Sequence, residues 1–222
     1  LSDISFTIKK GEVFGIVGTT GSGKSTIANL ICRFYDTTTG NILFRNVNVK
    51  ELSQDYLHRE IGIVPQKSVL FSGTIADNIR WGKEDATDEE VIEALKNAEA
   101  YDFVSNMENG INSMIYEGGK NFSGGQKQRL TIARALVKKP PVIIMDDSLS
   151  ALDYATDKKL RNSLKETLKD STIIIISQRI SSIVSADKIL VLDDGKVMGL
   201  GTHEELLNSC DTYKEIYMSQ SK

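Results

Sequence analysis

Long hydrophobic runs are missing from this chain of 222 residues. No apolar stretch approaches the roughly 18–20 residues that a helix needs to cross a bilayer, and no signal peptide is visible. Cysteine is scarce: Cys32 and Cys210 are the only two, in neither metal-like nor disulfide-like spacing, which suits a reducing compartment. Positive charge is not in excess either. A formal net charge of −3 leaves no basic footprint, so sequence-independent nucleic-acid binding is not favoured. Low-complexity segments and internal repeats are also lacking. The expectation is a soluble, cytosolic chain. At 40% hydrophobic and 26% charged residues, the composition is that of an ordinary globular protein. The length suits one large domain, or a core with a small inserted subdomain. Leu1 to Ile8 alternates as a strand does, with no starting Met, and reads as a domain entered partway.

The apolar pattern predicts an α/β fold. Val13–Val17 is a short strand, and Ser25–Tyr35 reads as a helix with Ile27, Leu30, Ile31 and Phe34 on one side. Ile61–Val64, Val142–Met145 and Ile173–Ile176 are continuous apolar runs, suited to strands buried on both faces of a parallel sheet. Tyr154–Leu168 is a helix with Leu160, Leu164 and Leu168 along one line. Ile189–Leu192 and Lys196–Leu200 flank Asp194-Gly195, a hairpin signal that adds antiparallel strands. Residues from about 72 to 137 read as an inserted helical subdomain. There Thr87-x-x-Glu90 is a capping box ahead of Val91, Ile92, Leu95 and Ala98, and further helices are expected over Tyr101–Met107 and Gly124–Lys138.

Two segments carry the chemistry. Gly18-Thr19-Thr20-Gly21-Ser22-Gly23-Lys24-Ser25-Thr26 lies between a strand and a helix and fits G-x-x-x-x-G-K-S/T. In this loop backbone N–H groups wrap nucleotide phosphates, the lysine reaches the β- and γ-phosphates, and the Ser25 hydroxyl meets Mg²⁺. The apolar strand Val142–Met145 ends in Asp146, a carboxylate placed to hold Mg²⁺. The second segment is Phe122-Ser123-Gly124-Gly125-Gln126. Ser123-x-x-Gln126 satisfies a capping box, so its plain reading is a helix start. The two glycines ask for more, since each costs ~1 kcal/mol relative to alanine inside a helix. Approach of a phosphate to bare N–H groups at the positive end of the helix supplies a reason.

Across nearly its whole length the chain resembles the ATP-binding cassette superfamily. Gly18–Ser25 matches Walker A, Val142–Asp146 matches Walker B, and Phe122–Gln126 matches the signature, with Phe where Leu is usual. Gln66, in Val64-Pro65-Gln66, matches the Q-loop, which in the family contacts Mg²⁺ and the attacking water and senses the transmembrane domain. Asp153, in Ser150-Ala151-Leu152-Asp153, matches the D-loop. The resemblance is nearest to exporter-type domains, including Phe71–Ile75 and the stretch at Glu117, which look like the segments that meet coupling helices there. It implies residues 1–222 form one nucleotide-binding domain, incomplete at its N-terminus, with a P-loop NTPase core, a mostly parallel sheet, an antiparallel β subdomain and the helical insertion. It further implies ATP and Mg²⁺ as cofactors. The implied partners are a second nucleotide-binding domain and the transmembrane domains of both subunits, at the cytoplasmic face of the membrane. The signature of each domain completes the ATP site of the other.

Two positions depart from that pattern. Asp147 stands where the catalytic glutamate is normal, one methylene short of the place from which Glu polarises water. Gln178, in Ile176-Ser177-Gln178-Arg179, stands where the switch histidine is normal, and it cannot carry a proton as His does. Beside intact binding loops, this pair points to a site that holds ATP and hydrolyses it poorly, in a heterodimer whose other half supplies the working site; a homodimer with slow turnover is the other reading. Neither histidine replaces the missing groups: His203 falls in the capping box Thr202-x-x-Glu205, and His58 reads as part of a surface helix. No residue here matches the tyrosine that stacks on adenine, which in such exporters lies before the position of Leu1. The alternative is an ATP-gated clamp of a non-transport cassette protein, but the long coiled coils or paired cassettes of those proteins do not appear. A P-loop kinase or GTPase leaves the signature unexplained and lacks N-K-x-D.

Overall fold

The computed structural model describes residues 1–220. The chain opens with β1 (Val13–Gly18), α1 (Lys24–Ile31), β2 (Leu43–Phe44), β3 (Val47–Asn48), α2 (Gln54–Glu60) and β4 (Ile61–Val64). Next come β5 (Gly73–Thr74), α3 (Ile75–Arg80), α4 (Asp88–Asn97), α5 (Tyr101–Ser105), β6 (Met114–Ile115) and α6 (Gly124–Leu136). The last part holds β7 (Val142–Asp146), α7 (Tyr154–Thr167), β8 (Thr172–Ile176), β9 (Lys188–Asp193), β10 (Lys196–Gly201), α8 (His203–Ser209) and α9 (Asp211–Gln220). Contacts divide the chain into two compact units. One comprises Leu1–Ile63, Pro141–Asp147 and the segment from Asp170 onward; the other comprises Val64–Pro140 and Ser148–Lys169.

The first unit is built on a sheet in the order β10-β9-β1-β8-β7-β4. β1 pairs in parallel with both β8 and β9, β7 with β8 likewise, and β10 closes the edge antiparallel to β9. The strands run as unbroken apolar stretches because both faces are covered. Phe14, Ile16, Ile144, Ile174, Ile176, Leu190 and Leu192 share a core with Ile27, Ala28 and Cys32 of α1. Ile143, Met145, Ile173, Ile175, Ile189 and Val191 are buried as well. At about 1.5–3 kcal/mol for each large apolar side chain buried, this sheet is the main source of the unit's stability. The turn between β9 and β10 has Asp194 and Gly195 both at positive φ, 42° and 71°, as a tight two-residue hairpin requires.

Three expectations change. Leu1–Ile8 joins no ladder: the segment is irregular, yet Ile4, Phe6 and Ile8 still pack on the core and Phe6 stacks on Phe14 at 5.1 Å. Alternation therefore marked which side chains turn inward, not a hydrogen-bonded strand. α1 ends at Ile31 rather than Tyr35. Arg33 takes φ 54°, its N–H bonds Leu30 O, and Phe34 N–H reaches back to Asn29 O, a Schellman closure with arginine in the place glycine usually fills. The Arg33 guanidinium bonds Val49 O and Leu52 O, which holds that conformation. Phe34 is left exposed. The helices at Tyr101 and Gly124 stop at Ser105 and Leu136, within the usual uncertainty of helix ends.

In the second unit α6 packs against α3 and α4, and α4 against α7. Ile75, Ile79, Val91, Leu95, Leu130, Leu160 and Leu164 supply the interior. Thr74 and Thr87 both close full capping boxes, with Asp77 and Glu90 as the reciprocating residues. Leu160, Leu164 and Leu168 are all buried, as their spacing predicts.

Candidate functional site

The first unit gathers polar groups at the carboxyl ends of its parallel strands, where open α/β sheets place their ligands. β1 runs into the glycine-rich loop. Gly21 and Gly23 adopt φ of 83° and 97°, and Gly23 in the left-handed region starts α1 with no side-chain cap. The first N–H groups of α1 are thereby left pointing out of the helix end. Gly18 has a different constraint: a side chain there would strike the backbone of Leu192 and approach Ser22 Oγ.

Lys24 is buried and folds back across its own loop. Its Nζ donates to Gly18 O at 2.9 Å and Thr19 O at 2.7 Å. Burial pulls the ammonium below the usual lysine range, and the charges of Asp147 and Asp146 work against that shift. Ser25 Oγ donates to Asp146 Oδ1 at 3.0 Å, joining residues 121 positions apart. The strand end and the helix start thus meet as a hydroxyl–carboxylate pair. Burial raises the Asp146 carboxyl above the ordinary range; the Ser25 hydrogen bond opposes this, the charge of Asp147 adds to it, and Lys24 opposes it. Hard oxygen donors of this kind suit Mg²⁺, which binds one or two carboxylates together with phosphate oxygens. Among the described residues no group of three or more His, Cys, Asp or Glu is placed to hold a metal by itself. A nucleotide's phosphates and water would have to complete the shell.

Asp147 follows at the end of β7 with φ 46°, and its N–H donates to Ile176 O at 2.8 Å. Just beyond β8, Ser177 is buried with its N–H on Ile16 O at 3.1 Å, while the Gln178 side chain is exposed. Gly18, Asp146, Asp147 and Gln178 thus sit at the same end of adjacent strands. The sequence offered no sign of one further tie: Thr19 Oγ1 donates to Asp193 Oδ1 at 2.7 Å, anchoring the start of the loop to the β9–β10 hairpin. Leu1 lies beside Gly23, in the space that a side chain on Gly23 would need.

The remaining residues belong to the second unit. Gln66 is exposed in the bend after β4. Asp153 caps α7 by accepting Thr156 N–H at 3.0 Å and the Thr156 hydroxyl at 2.7 Å, and these bonds hold its carboxyl below the usual range. Ser123 caps α6 reciprocally: its Oγ accepts Gln126 N–H, and Gln126 Oε1 accepts Ser123 N–H. Phe122 is buried and meets Phe103 edge to face at 6.3 Å, with the Arg129 guanidinium over the Phe103 ring. Gly124 carries no constraint of the kind seen at Gly18 and Gly23. Its backbone is ordinary helix, and a side chain on it would meet nothing within 4 Å; one on Gly125 would make only normal contacts, the nearest 3.6 Å away. Neither glycine is required by this chain's own backbone or packing.

A family model described as ABC transporter matches residues 1–150. The chain belongs to the ABC transporter family. It is an ATP-binding domain of that family, a class of ATPases. Similar proteins include an uncharacterised ABC transporter ATP-binding protein of Mycobacterium bovis, 49% identical over the whole chain, and a putative multidrug export ATP-binding/permease protein of Staphylococcus aureus, 44% identical. The cassette spans 38% of the length of each. Among solved structures, a bacterial Atm1-family ABC exporter with ATP bound superposes with a TM-score of 0.92 at 40% identity, covering 96% of this chain and 37% of that one. The mixed sheet with its helical segments is the fold of these P-loop NTPases. Among the described residues no helix is long and apolar enough to cross a membrane.

Proposed function

We propose that this chain is the nucleotide-binding domain of an ABC exporter, with residues from about 72 to 137 as its helical subdomain. It binds ATP on the Gly18–Thr26 loop at the cytoplasmic face of the membrane and drives export through transmembrane domains joined to it and to its partner. Lys24 would move its donors from the loop carbonyls toward the β- and γ-phosphates. Ser25 and Asp146 would hold Mg²⁺; the ion would offset phosphate charge during transfer to water. The similarity to ATP-binding/permease exporters supports this reading.

The observation that carries the two-sided part is the bare start of α6. Glycine weakens a helix by ~1 kcal/mol relative to alanine, and here two occur in one turn with no internal contact that needs them. Small size there serves a group arriving from outside the chain. Ser123–Gln126 is therefore assigned to the γ-phosphate of ATP held by a second, non-identical cassette, and Asp153 to the neighbouring loop at that boundary.

The cassette's own ATP site is assigned to binding with slow hydrolysis. Asp147 is too short to polarise water where glutamate does, and Gln178 neither carries a proton nor a charge. Losing general-base help costs about 10²–10⁴-fold in rate. Restoring both groups by Asp147→Glu with Gln178→His, in the assembled transporter, should raise hydrolysis at this site by at least about ten-fold. Fast hydrolysis at this site before the change would refute the assignment.

A further inference from the structure

The last helix of the cassette is held at both ends, and its far end grips the segment that carries Gln178. Near its start Tyr213 is fully buried, and its hydroxyl lies 2.8 Å from His203 Nδ1 at the beginning of α8. Tyr217 adds a second ring against His203 at 5.4 Å. The helix then passes over β9 and the helical turn at Ile180–Ser182. At its end the Gln220 carboxamide makes two hydrogen bonds to one stretch of backbone. Nε2 donates to Gln178 O at 2.6 Å, and Oε1 accepts Ile180 N–H at 2.9 Å.

This pattern is selective. A carboxamide offers a donor and an acceptor in one plane, so it pairs with a carbonyl and an N–H two residues apart, as a neighbouring strand would. A glutamate supplies no donor at neutral pH, and a lysine supplies no acceptor. The stretch it grips has left the β8 ladder; within it the Arg179 N–H donates to Ser177 Oγ at 2.9 Å, and the Ser182 N–H donates to Arg179 O at 3.2 Å. Ile180 is buried, so the clamp closes between a fixed side chain and the exposed side chain of Gln178.

We infer that Gln220 is a positioning residue: by fixing the backbone on both sides of Arg179 it sets where the residue 178 side chain can reach, and so couples α9 to the ATP site. The functional half of this inference rests on the role assigned above to residue 178; the clamp itself does not. Any event that lifts α9 would then release the switch segment while leaving the phosphate loop intact.

The test uses the intact assembled transporter carrying Gln220→Leu, which keeps the bulk on α9 and removes both polar contacts, beside Gln220→Glu, which keeps only the acceptor. Amide exchange at Ile180 should quicken by at least about ten-fold in the leucine variant and by less in the glutamate variant. Unchanged exchange in the leucine variant would overturn the clamp, whichever nucleotide reading holds. Turnover is then compared with and without Gln220→Leu in the Asp147→Glu, Gln178→His background. There kcat should fall by at least about five-fold with the ATP KM within about two-fold, since binding groups are untouched. An unchanged kcat with faster exchange would overturn the positioning role. If the restored background itself gains no turnover, the slow-site reading fails, and exchange at Ile180 still decides the clamp.

Discussion

Replacing Ser123 by glycine and, separately, by alanine divides the capping job of its hydroxyl from the partner-facing one proposed for it. Within the chain its Oγ accepts Gln126 N–H at 3.3 Å, one of the bonds that start α6. Exchanging such a cap for alanine costs about 0.5–2 kcal/mol, whereas glycine costs only about a few tenths. If capping were its whole role, the alanine variant would be destabilised, the glycine variant nearly normal, and turnover would follow stability. A hydroxyl that also donates to a partner's γ-phosphate behaves differently. A hydrogen bond to a charged group contributes about 1.5–3 kcal/mol, and at 1.4 kcal/mol per decade its loss slows turnover about 10- to 100-fold. Both variants lose that bond equally. The assay pairs thermal unfolding of each variant with ATP turnover of the assembled transporter, and ATP binding at the chain's own loop serves as the control. The expected result is a stability order of wild type, glycine, alanine, with turnover equally low in both variants and ATP binding unchanged. A glycine variant that turns over within about two-fold of wild type refutes the reasoning and returns Ser123 to a structural cap.

Two further predictions concern stability. Burial, and then the neighbouring Tyr217, push the Tyr213 phenol up to about 12 from its ordinary value of 10.0. The unfolded chain therefore ionises this tyrosine first as pH rises, so its contribution is complete below pH 10 and is lost between about 10 and 12, amounting to about 2–3 kcal/mol. Urea denaturation should show this slope in the wild type and a flatter one in Tyr213→Phe; equal slopes would contradict it. Gly82 faces α6 so closely that a Cβ would run into Arg134 O and lie 2.9 Å from Val137 Cγ1. Because a backbone oxygen cannot swing aside, Gly82→Ala should destabilise the protein by about 1–3 kcal/mol by the same denaturation measurement, and a neutral result would mean α3 and α6 can part there.

Local signals carried far in this chain. The α/β class, the buried strands, the capping boxes at Thr87, Ser123 and Thr202 and the hairpin at Asp194-Gly195 are each written in a few contiguous residues, and the structure contains them all. The Gly18–Thr26 loop is of the same kind: its glycines and lysine are neighbours, and the structure sets them between β1 and α1 as their spacing predicts. Where a helix or strand stops was less legible. Arg33 ends α1 because it bonds carbonyls of Val49 and Leu52, sixteen and nineteen residues away, and Leu1–Ile8 alternates without a ladder because packing, not pairing, orients its side chains.

The contacts that no pattern announces are those closed by the tertiary fold. Ser25 meets Asp146 across 121 residues, Thr19 meets Asp193 across 174, and Gln220 takes hold of the backbone at Gln178 and Ile180. Each is a hydrogen bond between side chains or loops whose partners could have been many other residues of similar chemistry. Sequence states which groups are available; only the stacking of β9, β1, β8 and β7 in that order brings their ends to one edge and chooses among them.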